Sequence, residues 1–356
     1  MSFTILSAML QIFLRALTAA LVVNLASPST QPPPLRTFRS SSGEIDAAAL
    51  SPDGRLLAIS EREPLRWKGQ LQIWDIEASK VVRSIRTPRS VHLICFSPDA
   101  RMLAIGYDLG GLQIWNLRNG KLLHTLKGSH LARFSADNKV LSSVDINTKI
   151  SGPGSIDLTH WDLQKGTVLK RVKFPLKSNH YTSDVALSPD MKLLALGVSR
   201  LTPGGPHSKK LLASEARLYD ARSGQLKRVW HRASHSPQPG SEVESLCFSP
   251  DGKTVATGDS RGEILLRSTA SNRVLGSIPA YKGGVHTLSY SPNGKMLLSQ
   301  WNGLVKVWNS SNRTLLRSFP MKQSNNNTAT FSSDSTQITG IEAENFRGIV
   351  RLWLIK

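Results

Sequence analysis

The chain has 356 residues, 40% of them apolar, and its 45 Lys and Arg outnumber 25 Asp and Glu for a formal charge of +20. That apolar share leaves room for a large core, and two cysteines exclude a Cys-rich metal cluster. The positive balance implies attraction to polyanions.

The first 26 residues are predominantly apolar, with Arg15 their only charge, and Pro28 to Pro34 form a stiff polar linker within 27–34. This reads as an export signal or a membrane anchor, hence a periplasmic, extracellular or membrane-anchored protein. A start at Met9 would put Arg15 in a basic leader, Ala16 to Val23 in the apolar stretch and cleavage after Ala26. Asn24 is large for the position three residues before that cut, which keeps an uncleaved anchor open.

From residue 35 onward one pattern recurs roughly every 40 to 60 residues, the spacing of blade-type repeats. Its copies are Ser51-Pro52-Asp53-Gly54, Ser97-Pro98-Asp99, Ser135-Ala136-Asp137-Asn138, Ser188-Pro189-Asp190, Ser249-Pro250-Asp251-Gly252, Ser291-Pro292-Asn293-Gly294 and Ser332-Ser333-Asp334. An alternating apolar run precedes each copy and another follows, so each is a hairpin turn in which Pro presets φ and Asp bonds the local backbone. A third run ends at Trp74-Asp75, Trp115-Asn116, Trp161-Asp162, Tyr219-Asp220, Arg267-Ser268, Trp308-Asn309 or Trp353-Leu354. Gly69, Gly110, Gly262, Gly303 and Gly348 fall five residues before that position and predict a tight turn between second and third strands. A short fourth strand follows in six copies, for example Val81 to Ile85 and Leu315 to Phe319.

These motifs make residues 35–356 resemble the WD-repeat family. The resemblance implies an all-β fold: a seven-bladed β-propeller of four-stranded antiparallel blades. The seventh copy stops after its third strand, and Leu35-Arg36-Thr37-Phe38 reads like Leu315-Leu316-Arg317-Ser318-Phe319, so the N-terminal strand is expected to close blade 7. The chain departs from the family pattern where a Gly-His pair is expected, with Ala280-Tyr281 in blade 6. Lys68, Arg261, Asn302 and Arg347 replace the turn Asp. Cohesion should therefore rest on apolar packing between blades rather than on a buried His–Asp network.

Cys95 and Cys247 take the same first-strand position three blades apart, too far for a disulfide, and are expected to be buried thiols. The third position of the fourth strand is Arg36, Arg83, His124, Arg171, Arg228, Gly276 and Arg317. This is either a solvent-facing row that blocks edge pairing or a basic belt for anionic polymer or envelope material.

In such a meander the turns after first and third strands share one face, and the loops after second and fourth strands share the other. Long loops fall on the second face: Val144 to Ser155, Ser199 to Ser214 and His231 to Glu242, with cations including Arg200, Lys209, Lys210 and Arg232. Trp67-Lys68, Trp301 and Phe346-Arg347 belong to blades 1, 6 and 7, consecutive around a closed ring, and form a candidate aromatic and cationic hot spot. His231 and His235 have metal-ligand spacing but no third ligand, no His or carboxylate recurs at a loop position, and no nucleophile or phosphate-loop motif is present. The expectation is a non-catalytic, monomeric scaffold without cofactor that binds protein or peptide partners through the long-loop face. The alternatives are a propeller enzyme with a channel-mouth site and a polyanion binder.

Overall fold

The structure is a computed structural model that describes residues 34–40, 43–62, 69–108, 110–128, 130–147, 153–202, 211–231, 241–322, 328–344 and 347–355. Pro34–Lys356 forms one compact unit. Its strands make seven four-stranded antiparallel sheets, the blades of a seven-bladed propeller. Blades 1 to 6 span 44–87, 91–126, 131–176, 180–231, 243–279 and 287–320, and blade 7 joins 329–354 to Arg36–Arg39. From blade 1 to blade 7 the first strands touch in succession, and that of blade 1 touches the second and third strands of blade 7, so first strands line the centre and fourth strands form the rim.

The repeated turn is built by its serine as much as by its Pro-Asp. In all seven copies the Ser hydroxyl donates to the acidic or amide oxygen two residues on, at 2.5 to 2.8 Å. The same hydroxyl accepts the N–H five residues on, at 2.8 to 3.0 Å. The Asp or Asn oxygen takes the N–H in between. Each serine is buried, so it satisfies a backbone N–H that water cannot reach. The residue after the Asp or Asn has positive φ in every copy: Gly54, Gly252 and Gly294, but also Ala100, Asn138, Met191 and Ser335.

The closure matches the expectation. Arg36, Thr37, Phe38 and Arg39 pair with Leu352, Arg351, Val350 and Ile349, and Leu35 and Ser40 extend the ladder to Leu352 and Gly348. Phe38 is buried among Ile45, Leu57 and Ile59 of blade 1 and Ile341, Val350 and Leu352 of blade 7.

Seven apolar clusters account for the core, and each straddles one blade boundary. Fourth-strand aromatics dovetail with the Trp position of the next blade: Phe38 with Trp74, Phe174 with Tyr219 and Phe319 with Trp353, at 5.1 to 5.9 Å. Cohesion is thus apolar, as expected. Polar links also occur: Trp161 and Trp308 donate to Ser143 and Ser299, and Tyr281, where the family has histidine, bonds the carbonyl and hydroxyl of Ser299. Asp184 of blade 4 accepts the Leu246 N–H of blade 5 at 2.8 Å, strapping two inner strands together.

Four members of the rim row serve a purpose that neither reading anticipated, while Arg171 bonds Thr159 of its own blade. Arg36 reaches Glu77 and Ser79, Arg83 reaches the Arg118 carbonyl, His124 the Leu163 carbonyl, and Arg228 the Thr269 and Ala270 carbonyls. Each is a clasp onto the third-to-fourth turn of the next blade. Where Gly276 interrupts the row, Arg313 reaches back to the Leu275 carbonyl, and a Cβ on Gly276 would lie 2.7 Å from it.

Other expectations need correction. Strands of blades 3 and 4 run into the stretches read as loops: Val140–Asn147 pairs with Gly154–Asp162, and Leu193–Leu201 with Leu211–Asp220, because alternation continues through Val144, Ile146, Ile156 and Leu158. Of the five turn glycines, Gly110, Gly262 and Gly303 have positive φ. Gly69 and Gly348 instead lie in strands, where a Cβ would collide with the Glu61 carbonyl or the Ile45 backbone nitrogen. Both cysteines are free thiols, held above the ordinary range by burial, although each residue retains some exposed surface.

Candidate functional site

The two faces use their polar side chains differently. On the turn face, Ser, Asp and Asn are consumed by their own hairpins, including the Asp75, Asn116, Asp162, Asp220 and Asn309 caps of the third-to-fourth turns. On the long-loop face, the residue five positions before each turn serine lies just before the first strand or in its first half, near the centre of the ring. It is Asp46, His92, His130, Ser183, Glu244 and His286 in blades 1 to 6. In blades 1, 2, 4 and 5 the strand register shifts at this residue, a bulge that turns its side chain away from the ladder.

These residues pair with one another and with second-strand ends. Arg62 lies 3.4 Å from Asp46, Asp108 3.1 Å from His92, Asp145 3.5 Å from His130, and Glu244 3.7 Å from His286. The His92 and His130 rings stand 6.2 Å apart. Burial raises the Asp46 carboxyl against the pull of Arg62, and raises Glu244 against His286. Burial lowers the His130 imidazole, with His92 adding to it and Asp145 opposing. This recurring His and carboxylate position escaped the loop-by-loop reading because it lies at a strand start; counting back from the turn serine finds it.

A second feature lies where blade 3 passes to blade 4, a cleft of about 400 Å³ lined by Lys177, His180, Val198, Arg200, Ala213, Glu215, Arg217 and His231. Glu215 is held at 2.6 Å by Arg217 Nε and at 3.2 Å by His231 Nδ1. Of the long-loop cations, Arg200 lines this cleft. Lys209, Lys210 and Arg232 lie outside the described residues, as does His235.

The aromatic trio is described only in part. Trp67, Lys68 and Phe346 lie outside the described residues, and Arg347 is exposed at the start of a blade 7 strand. Trp301 is half-exposed beside Tyr281 at 6.0 Å, and its ring leaves no room for a Cβ on Gly283. It packs on the loop that enters its own blade. Among the described residues, no group of three His, Cys, Asp or Glu is placed to hold a metal ion. Among them, too, no helix is long and apolar enough to cross a membrane, and segment 3–26 lies outside them.

Comparison with known proteins agrees with the architecture. The Anaphase-promoting complex subunit 4 WD40 domain model matches residues 211–286, and the WD domain, G-beta repeat model matches 272–309. Telomerase protein component 1 of Rattus norvegicus is 26% identical over 267 residues, covering 72% of this chain but 9% of that protein. Apoptotic protease-activating factor 1 of Homo sapiens is 24% identical over 258 residues, 63% of this chain and 20% of its own length. Small ribosomal subunit protein RACK1z of Arabidopsis thaliana is 29% identical over 91 residues, 26% of each chain. Seven serine-bracketed hairpins, a Trp position that dovetails between blades and these matches together support a WD-repeat β-propeller family for this chain.

Proposed function

We propose that this propeller is a non-catalytic interaction scaffold that captures protein or peptide partners on its long-loop face. The contrast between faces carries the reading: the turn face spends its polar groups on its own hairpins, whereas His92, His130, His286, Arg200 and Lys177 stay exposed on the other. WD-repeat relatives support a protein-interaction role in general terms. Arg36, Arg83, His124 and Arg228 of the rim are left out of this reading because they clasp neighbouring turns. Export or tethering through residues 1–26 is proposed from composition alone.

The test is affinity purification from the native source with the wild-type chain, a His92→Ala/His130→Ala/His286→Ala variant, and a Lys192→Ala/Arg101→Ala variant of the turn face. Partner loss confined to the first variant, with unchanged melting, supports the assignment. Equal loss from both variants, or no loss from either, refutes it.

A further inference from the structure

We infer that the cleft on blade 4, at its entry from blade 3, is a docking site for a short acidic peptide segment whose oxyanions, carboxylate or phosphoryl, are received by Arg200 and Lys177. The inference rests on the scaffold reading and names the chemistry of one of its ligands.

The charge balance inside the cleft is the starting point. It holds three permanent cations, Lys177, Arg200 and Arg217, and one carboxylate, Glu215. Arg217 and His231 grip both Glu215 oxygens, so that carboxylate is already compensated and held in place. Lys177 and Arg200 are exposed at the entrance, and among the described residues neither has a carboxylate partner. An arriving oxyanion therefore meets two unspent cations without first breaking an ion pair. Val198 is buried beneath the cleft, and the exposed Ala213 offers apolar contact for the stem of an acidic side chain.

Its surroundings decide between a peptide and a polymer. On the same face, blade 3 presents Asp145 beside His130, and blade 5 presents Glu242, bound by the Tyr181 and Ser199 hydroxyls. A polynucleotide carries a phosphate every few ångströms of its length and would have to cross these carboxylates. The cleft itself has a volume of about 400 Å³, which suits one or two acidic side chains.

The experiment uses the full chain and four fluorescein-labelled probes: a short oligoglutamate peptide, its glutamine counterpart, a phosphoserine peptide and single-stranded DNA of equal charge. Fluorescence anisotropy should show the glutamate or phosphoserine peptide binding and the glutamine peptide not binding. Whichever of the two binds more tightly identifies the source of the oxyanion. Arg200→Gln/Lys177→Gln should weaken that binding at least about tenfold at unchanged melting temperature, since two charge-assisted contacts are lost. The charge-matched Arg101→Gln/Lys192→Gln pair should leave it intact. Equal weakening by both pairs would reduce the effect to net charge and overturn the site. Tighter DNA binding that the cleft pair abolishes would overturn the peptide assignment. If native partners are still captured by the long-loop face while no acidic peptide binds, the scaffold reading survives and this inference falls alone.

Discussion

Replacing Phe38 by alanine tests the closure of the ring at its most economical point. Phe38 is 5% exposed, lies edge-on to Trp74 at 5.5 Å, and joins the apolar clusters of blades 7 and 1. Phe→Ala changes in cores cost about 3 to 5 kcal/mol. A terminal strand relaxes more readily than an internal one, which favours about 3 kcal/mol here. Deleting 35–39 also removes about six ladder bonds at ~0.5 to 1.5 kcal/mol each, but it releases five residues whose backbone ordering cost about 1 to 2 kcal/mol apiece. These two contributions nearly cancel, so truncation should cost little more than Phe38 burial itself. Thermal melting of Phe38→Ala should fall by roughly 5 °C, whereas Thr37→Ala, an exposed site on the same strand, should stay within about 0.5 kcal/mol of wild type. Equal melts for both variants would show that the strand is not part of the cooperative ring.

Ser97→Ala should destabilise by about 1 to 3 kcal/mol in chemical denaturation, because the buried Met102 N–H loses its acceptor; an unchanged midpoint would assign the turn to Asp99 alone. Ala100→Gly should stabilise by about 1 kcal/mol, since φ is +55° there and a Cβ is strained in that region; a destabilised variant would contradict the turn geometry. Asp184 is half-buried, and desolvation pushes its carboxyl up to about 6, so the folded state holds its proton more tightly than the unfolded chain. Stability from this group is greatest below about pH 4, falls as pH rises to about 6, and stays lower by roughly 3 kcal/mol above that. Asp184→Asn should therefore be more stable than wild type at pH 8 and lose that advantage near pH 4. An offset that is the same at both pH values would rule out ionisation as its cause.

The blade count, the closing strand and the apolar nature of the core were legible because each follows from local alternation repeated around turns with their own chemistry. Leu35-Arg36-Thr37-Phe38 could be matched to blade 7 by pattern alone, since one outer strand resembles another. Strand length in blades 3 and 4 was readable in principle from Ile146 and Ile156 but was obscured by the polar residues between them.

Sequence alone therefore determined the unit and its number, because a hairpin depends on residues close together in the chain. Only the tertiary structure decided what the polar residues do, because their partners belong to the next blade. Arg83 and Arg228 look like free surface charges until the neighbouring turn supplies their carbonyls. Asp46, His92 and His130 look unrelated until the ring brings three first strands to one mouth. Arg200 joins Lys177 only because the second strand of blade 4 pairs back along the first, setting Arg200 opposite His180 at the linker that carries Lys177. Distance in the chain conceals such pairs, and the closure of the ring creates them.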